Sequence, residues 1–258
     1  MKKYFYTASL LVAMASGDTL MAQQKNETLP YPDARKGSFT DEYFGRKVND
    51  PYRWLENDTA AEVESWVQKE NKITHAYLEH IPFRNRIKQR LTEIWNFPKY
   101  SSPFKEGEWY YFFKNSGLEN QSILYRQKGL NGEPEMFLNP NKLSEDGTAS
   151  LASITFSKDH KYCAVGIAQS GSDWNEIFVM DVTTKQKTKD LIKWVKFSGA
   201  TWYKNGFYYS RYDEPKKGKE FSNQNEFMKI YYHTIGQDQS KDVLVYEDKT
   251  HPLRYFNA

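Results

Sequence analysis

The sequence predicts a mainly β protein made of propeller blades, preceded by an N-terminal helical extension. Aromatic residues make up 16% of the 258 residues, and aromatic side chains favour strands. Before Pro98, apolar residues recur at helical spacing, whereas after Ser101 short aromatic strands alternate with turn residues. The strand-rich region also repeats every fifty residues or so, a period of roughly blade length. These three observations together indicate blades that follow a helical region.

The first 22 residues have the features of a secretory signal peptide. Lys2 and Lys3 form a basic start, and the segment from Tyr4 to Ala15 is apolar over a length typical of such signals. Cleavage fits best after Ala22, although Ala13-Met14-Ala15 also has the required small residues. A membrane anchor is the alternative, but the apolar run is too short to cross a bilayer. We therefore expect a periplasmic or secreted protein, with no membrane association after cleavage.

The charge and the cysteine count exclude several classes of function. Lys and Arg number 36 against 33 Asp and Glu, a balance too even for a nucleic-acid partner. The single cysteine, Cys163, excludes an intrachain disulfide, and its apolar neighbours predict a buried, inert thiol. His75 and His80 lie five residues apart and so face different directions on a helix. We expect no metal site and no cofactor.

Residues 23–98 are predicted to hold a linker and the helical extension. Thr59 and Glu62 have the spacing of a capping box, and the apolar period after them predicts a helix from Ala60 to Glu79. Pro82 fits the first turn of a second helix that ends at Pro98. We expect the apolar faces of both helices, including Trp66 and Trp95, to be packing surfaces. The predicted apolar positions of the second helix are Ile87, Leu91, Ile94 and Trp95.

Residues 99–258 are predicted to form an incomplete propeller of about three blades. Phe104, Phe156 and Trp202 are 52 and 46 residues apart and open successive units. Propellers close with about four to eight blades, so we expect the native protein to continue beyond this sequence. Assembly of several copies into one ring is the alternative. The predicted hairpin strands are 109–114 with 121–126, 161–168 with 176–181, and 206–211 with 229–234.

The motifs of common catalytic sites are absent from the sequence. It contains no Gly-x-Ser-x-Gly nucleophile elbow, no phosphate-binding loop and no His-Glu-x-x-His, so we assign no catalytic residue to this chain. The most suggestive segment is the loop from Ser170 to Trp174. There Asp173, beside the large Trp174, could pair with a cation on a partner surface. An ordinary Asp-capped turn is the alternative.

Several short motifs, in order along the chain, resemble those of the prolyl oligopeptidase family. Each motif is weak alone, but they run from about Tyr31 to Phe256 at the spacing of the family, with oligopeptidase B a distant second. Asn139 departs from the pattern, since the family often has Asp there. The motifs include Asp50-Pro51-Tyr52-Arg53-Trp54-Leu55-Glu56, Ile81-Pro82-Phe83-Arg84, Ser170-Gly171-Ser172-Asp173-Trp174 and Val195-Lys196-Phe197-Ser198.

The resemblance implies a serine endopeptidase that cleaves short peptides after proline. It implies an α/β-hydrolase domain, absent from this sequence, to which the helical extension belongs, and a partial seven-bladed propeller that gates access. By the same resemblance, Phe197 lines the substrate site, while Asp173 and Trp174 lie at the interface with the hydrolase domain. From the residues alone, the strand-like run from Trp194 to Phe197 favours blade core for Phe197. A propeller that binds a ligand without catalysis is the alternative function.

Overall fold

The computed structural model describes residues 29–218, 220–221 and 224–257. The predicted signal peptide, residues 1–22, lies outside the described residues and stays a prediction. Among the described residues, neither of the two helices is long and apolar enough to cross a membrane. The predicted division into domains at residue 98 likewise stays a prediction.

The N-terminal region contains a hairpin, a short 3-10 helix and two α-helices. Helix α1 confirms the predicted helix to within one residue, whereas the hairpin was not predicted because its strands are mostly polar and exposed. Arg53 holds the hairpin to the 3-10 helix through ion pairs with Asp41, Asp50 and Glu56. The elements are β1 (Thr40–Tyr43), β2 (Arg46–Asn49), the 3-10 helix (Arg53–Glu56), α1 (Ala61–Glu79) and α2 (Arg84–Trp95).

The predicted capping box at the start of α1 is wrong. Ala60 is the N-cap residue, and no side chain caps the first turn. The Thr59 hydroxyl instead donates to the Asn57 side chain at 3.0 Å. The Glu62 carboxylate accepts two hydrogen bonds from Arg35, at 2.8 and 3.1 Å. A competing ion pair with a residue distant in sequence therefore replaces the local cap that the spacing suggested.

The predicted packing of the second helix is also not observed within the described residues. Ile87, Leu91, Ile94 and Trp95 lie on α2 as the period predicted, yet their exposed fractions run from 48% to 64%. In α1 only Val63 is buried. The helical period correctly gave the apolar face of α2, but no described part of the chain covers it.

Twelve of the remaining strands form three four-stranded antiparallel units, and these confirm the predicted propeller blades. A further short strand, β3 (Lys99–Tyr100), pairs with β5 beside β4. Blade 1 comprises β4 (Phe104–Glu106), β5 (Trp109–Asn115), β6 (Ile123–Lys128) and β7 (Glu135–Leu138). Blade 2 comprises β8 (Ser150–Phe156), β9 (Tyr162–Ala168), β10 (Asn175–Asp181) and β11 (Lys187–Val195). Blade 3 comprises β12 (Thr201–Tyr203), β13 (Gly206–Arg211), β14 (Lys229–Thr234) and β15 (Val243–Glu247).

The start of blade 2 differs from the prediction. Phe156 is the last residue of β8, not the first residue of the blade, which begins at Ser150. The three repeated aromatics are nevertheless related by structure, because each pairs across the first hairpin of its blade. Phe104 pairs with Tyr111, Phe156 with Cys163, and Trp202 with Phe207.

Blade 2 is buried on both faces, which explains its apolar sequence. Along β9 the side chains alternate: Cys163 and Val165 pack against blade 1, whereas Ala164 packs towards blade 3. In β10, Phe178 packs in the core shared with blade 1, and Val179 packs in the core shared with blade 3. A strand covered on both faces has no polar face, so its sequence reads as a continuous apolar run.

A buried histidine joins blade 2 to blade 3. His233 on β14 lies between two carboxylates: its Nε2 is 3.0 Å from Asp190 Oδ1 on β11, and its Nδ1 is 2.7 Å from Asp242 Oδ1. The three side chains are at most 1% exposed. Burial acts to lower the pKa of His233, but the hydrogen bonds to the two carboxylates outweigh it and raise the pKa. The arrangement is that of an imidazolium donating from both nitrogens.

Replacing His233 with Leu should strongly destabilise the fold. The substitution removes the cation and leaves two buried carboxylates without their partner, so we expect the free energy of unfolding to fall by about 3–5 kcal/mol. Urea denaturation measures this change. His75→Leu, on the exposed surface of α1, is the matched control and should change the free energy by no more than about 0.5 kcal/mol. Equal effects of the two substitutions would contradict the assignment.

The same histidine predicts an alkaline loss of stability. Its pKa is raised on folding, so its contribution is complete below the unfolded pKa of about 6.5 and is lost as the pH rises through the folded value. The free energy of unfolding of the wild-type chain should therefore decline above neutral pH. His233→Leu should show a smaller decline over the same range. A wild-type stability that stays level throughout that range would contradict the prediction.

Cys163 should be unreactive in the folded chain. Its side chain is buried, and burial raises the pKa of the thiol to about 12, which leaves almost no thiolate at neutral pH. We expect a thiol-specific reagent to label Cys163 only in denaturant, with labelling followed by mass spectrometry. Rapid, stoichiometric labelling of the native chain would show that the residue is accessible.

Candidate functional site

The candidate site lies at one edge of the sheet formed by blades 2 and 3. The register places the ends of five strands side by side: Ala168 pairs with Asn175, Asn175 with Val195, Val195 with Arg211, and Arg211 with Lys229. Three connections therefore meet at this edge. They are residues 169–174, residues 196–200 and the long connection 212–228, of which 219, 222 and 223 are not described.

Trp174 lies at the centre of these connections. Its ring contacts Trp194 and Tyr212 edge-on, with centroid separations of 5.6 and 6.2 Å. Its indole N–H donates to the carbonyl oxygen of Glu220 at 2.8 Å. The Trp174 side chain thus links its own connection, residues 169–174, to β11 and to the connection 212–228. Its ring forms the aromatic centre of this edge.

Phe197 is exposed and is not part of the blade core. It follows the end of β11, its exposed fraction is 59%, and its φ is +55°. A bulky residue in this left-handed region is uncommon. Its conformation is strained, and contacts elsewhere in the fold must offset the strain energy. Trp194, three residues earlier, has a φ of +62°. The interpretation of Phe197 as core is therefore wrong, and two strained aromatics lie close together at this edge.

Lys196 lies between the two aromatic residues of the predicted site. It is 9% exposed, and its Nζ is 4.6 Å from the Trp174 ring centre and 5.7 Å from that of Phe197. Among the described residues, this ammonium has no carboxylate or hydrogen-bonding partner. Aromatic faces attract a cation but leave its charge in place. The edge therefore carries a positive charge at the end of a largely buried side chain.

Asp173 is exposed at the same edge, beside Trp174. In the loop that carries it, the Ser172 hydroxyl accepts from the backbone N–H of Trp174 at 3.0 Å, so the alternative of an Asp-capped turn is not observed. Within the described part of the chain, the Asp173 carboxylate has neither an ion-pair nor a hydrogen-bonding partner. Its interface role stays a prediction, as does that of Trp174.

A cleft of about 370 Å³ opens at the same edge and is lined in part by these aromatic residues. Trp174, Trp194 and Phe221 contribute its apolar wall, and Ser170 and Glu176 contribute polar groups. Phe197 does not line this cleft. The edge thus offers an apolar recess next to an exposed aromatic, which suits the side chains of a peptide more than a small polar ligand.

Sequence reasoning found Phe197, Asp173 and Trp174 but missed Trp194 and Lys196. Trp194 lies in β11, where the pairing with β10 shifts register between Asn175 and Ile177 of β10. A bulge of this kind has no clear sequence signal. Lys196 was missed because a lysine is exposed by default, and only the fold brings Trp174 over it. The described residues contain no group of three or more His, Cys, Asp or Glu side chains arranged to hold a metal ion.

Comparison with known proteins places the chain among propeller domains. Residues 31–258 match the family described as "Prolyl oligopeptidase, N-terminal beta-propeller domain". The chain is 47% identical to the prolyl endopeptidase of Elizabethkingia meningoseptica over 251 residues, which is 97% of this chain and 35% of that protein. It is 34% identical to prolyl oligopeptidase A of Amanita bisporigera, covering 94% of this chain and 36% of that one. The chain thus spans about a third of the length of these relatives.

Solved structures give the same result. One prolyl endopeptidase structure superposes with a TM-score of 0.74 at 30% identity, covering 85% of this chain and 33% of that chain. Prolyl oligopeptidase B of Galerina marginata, bound to a 35mer hydrolysis and macrocyclization substrate, gives a TM-score of 0.72 at 29% identity. It covers 86% of this chain and 34% of its own. The family match over residues 31–258 includes both helices and the three blades.

The strain at Phe197 predicts how two substitutions will rank. Glycine adopts a positive φ without the clash that a Cβ causes, so Phe197→Gly should be more stable than Phe197→Ala by about 1 kcal/mol. Urea denaturation of both variants measures the difference. The matched control is Val195, a buried strand residue, where Gly should be the less stable of the two substitutions. An Ala variant at Phe197 more stable than the Gly variant would contradict the strain.

Proposed function

The chain belongs to the prolyl oligopeptidase family, and on that premise we propose that it is the N-terminal part of a serine endopeptidase. The complete protein would hydrolyse short peptides on the carboxyl side of proline. Support comes from the relatives named as prolyl endopeptidases. The matches cover 97% of this chain and 35% of each relative. A binding propeller without catalysis is not favoured, because the matched relatives are named as prolyl endopeptidases and prolyl oligopeptidases.

In this proposal the chemistry belongs to the part of the protein that the sequence does not include. A serine would attack the peptide carbonyl with a histidine as base, and water would hydrolyse the acyl-enzyme. The propeller would admit short peptides and exclude large folded proteins. The hydrolase domain would also cover the apolar face of α2, which is exposed in this chain.

One observation of this chain carries the proposal: an exposed phenylalanine with a strained backbone lies at the edge of the sheet formed by blades 2 and 3. Phe197 has a φ of +55° and an exposed fraction of 59%, so its ring is held at the surface by the blade that supports it. Strain of this kind concentrates at functional sites. An apolar wall suits the side chain that lies upstream of the proline.

Asp173 and Trp174 would lie at the contact with the hydrolase domain. The Asp173 carboxylate is exposed at the edge that carries Phe197, so a basic residue of that domain could pair with it. Such a pair would fix the position of the propeller relative to the catalytic serine. The protein would act in the periplasm or outside the cell, after removal of residues 1–22.

Replacing Phe197 with Ala should impair substrate binding in the complete enzyme. We expect KM for peptides with a bulky residue upstream of proline to rise by roughly tenfold, which corresponds to about 1.4 kcal/mol. The thermal midpoint should change little, since the side chain is exposed. Steady-state kinetics with a series of proline-containing peptides measures the effect.

Phe44→Ala provides the matched control for this experiment. Phe44 is also an exposed phenylalanine with a positive φ, of 53°, but it lies in the β1–β2 hairpin turn. Its replacement should leave KM unchanged. A Phe197→Ala enzyme with an unchanged KM and a large loss of stability would exclude Phe197 from the substrate site.

A further inference from the structure

We propose that Lys196 gives the peptide site a preference for an acidic side chain upstream of proline. This inference rests on the proposed function and adds a charge preference to the apolar wall of Phe197. It concerns a lysine that is next to Phe197 in sequence and in space. The ligand chemistry is a peptide carboxylate, supplied by Glu or Asp.

The charge of Lys196 has no counterion within the described part of the chain. The residue is 9% exposed, and its ammonium contacts two aromatic rings and no carboxylate of the described residues. Partial burial of the side chain without a counterion is unfavourable for an ammonium. Trp174 and Phe197 compensate part of this cost through their ring faces, but they carry no negative charge. The field of Lys196 therefore remains available to a ligand.

Two acidic residues at the same edge are paired with other lysines. Glu176 is 3.9 Å from the Lys193 ammonium, and Asp213 is 2.5 Å from that of Lys229. Each of these carboxylates thus has a partner other than Lys196. Asp173 is exposed at this edge, and in the proposed complex it pairs with the hydrolase domain. None of these three carboxylates would then compensate the charge of Lys196.

The Lys196 ammonium is also close enough to act on a peptide bound at Phe197. It is 5.7 Å from the ring centre of Phe197, so a peptide side chain that packs on this ring comes within the Debye length of about 8 Å. Salt screens such a partly buried charge only weakly. A carboxylate at this position would be attracted, a neutral amide would be unaffected, and an ammonium would be repelled.

The test compares three matched peptides that differ only in Glu, Gln or Lys. The substitution is scanned over the residues that precede proline, and kcat/KM is measured in the complete enzyme. At the position next to Phe197 we expect Glu to exceed Lys by about tenfold, with Gln between them. In Lys196→Met this ratio should fall to within about twofold, whereas Lys196→Arg should retain it because the charge is kept.

Lys204→Met is the matched control for this experiment. Its Nζ also lies near an aromatic ring, 5.2 Å from the centre of Tyr203, but in the turn between β12 and β13 at the opposite end of blade 3. This variant should retain the wild-type ratio. Met is close to Lys in length and removes a charge from a largely buried side chain, so the Lys196→Met fold should be preserved. Circular dichroism checks this point.

Two kinds of failure can be told apart. A wild-type enzyme that cleaves all three peptides after proline at equal rates would overturn the role of Lys196 and leave the proposed function standing. Lys196 is likewise excluded from this role if Lys196→Met keeps the wild-type ratio. If no peptide is cleaved after proline, the proposed function fails. Tryptophan fluorescence titration with the same peptides then decides the inference: tighter binding of Glu than of Lys supports it, and equal binding overturns it.

Discussion

The double burial of blade 2 is the constraint on which the rest of the structure depends. A four-stranded sheet with apolar side chains on both faces is stable in water only if both faces are covered. Blade 1 covers one face with Tyr111, Leu124 and Phe137, and blade 3 covers the other with Trp202 and Phe207. The outer faces of blades 1 and 3 have no such cover among the described residues, and Tyr246 is 47% exposed there.

Polar contacts fix how the blades pack, because apolar contact alone is not directional. Arg126 of blade 1 is 4% exposed, and its guanidinium donates to the Val182 carbonyl oxygen of blade 2. Thr155 of blade 2 donates to the Ala200 carbonyl oxygen, next to blade 3. Together with His233, these contacts join each pair of neighbouring blades by at least one buried hydrogen bond. Each blade is thereby held in a defined position against the next.

The rigid blades in turn support the strained connections at the candidate site. Phe197 and Trp194 adopt a left-handed conformation that an isolated loop would not favour. Val195 and Ala200, both buried, hold the ends of this connection in the core between blades 2 and 3. Trp174 adds a lateral contact from the neighbouring connection. The site thus consists of exposed or strained side chains on a well-packed base.

The sequence by itself determined the class of fold and most element positions. The helical period defined α1 to within one residue, and the aromatic hairpins of all three blades lie where the alternation of strands and turns predicted. These features were predictable because the spacing of apolar residues and the positions of turn residues are local properties of the sequence. The same local signals singled out Phe197, Asp173 and Trp174 only with the help of the family resemblance.

Only the tertiary structure decided which side chains meet. The Glu62 side chain pairs with Arg35 instead of capping α1, and His233 contacts one carboxylate from β11 and one from the residue before β15. Likewise, the Lys196 ammonium contacts the ring of Trp174, which precedes it by 22 residues and comes close through the pairing of β10 with β11. Contacts between residues distant in sequence depend on strand register and blade packing. Neither can be read from a local pattern, because the free energy that selects them is shared across the whole sheet.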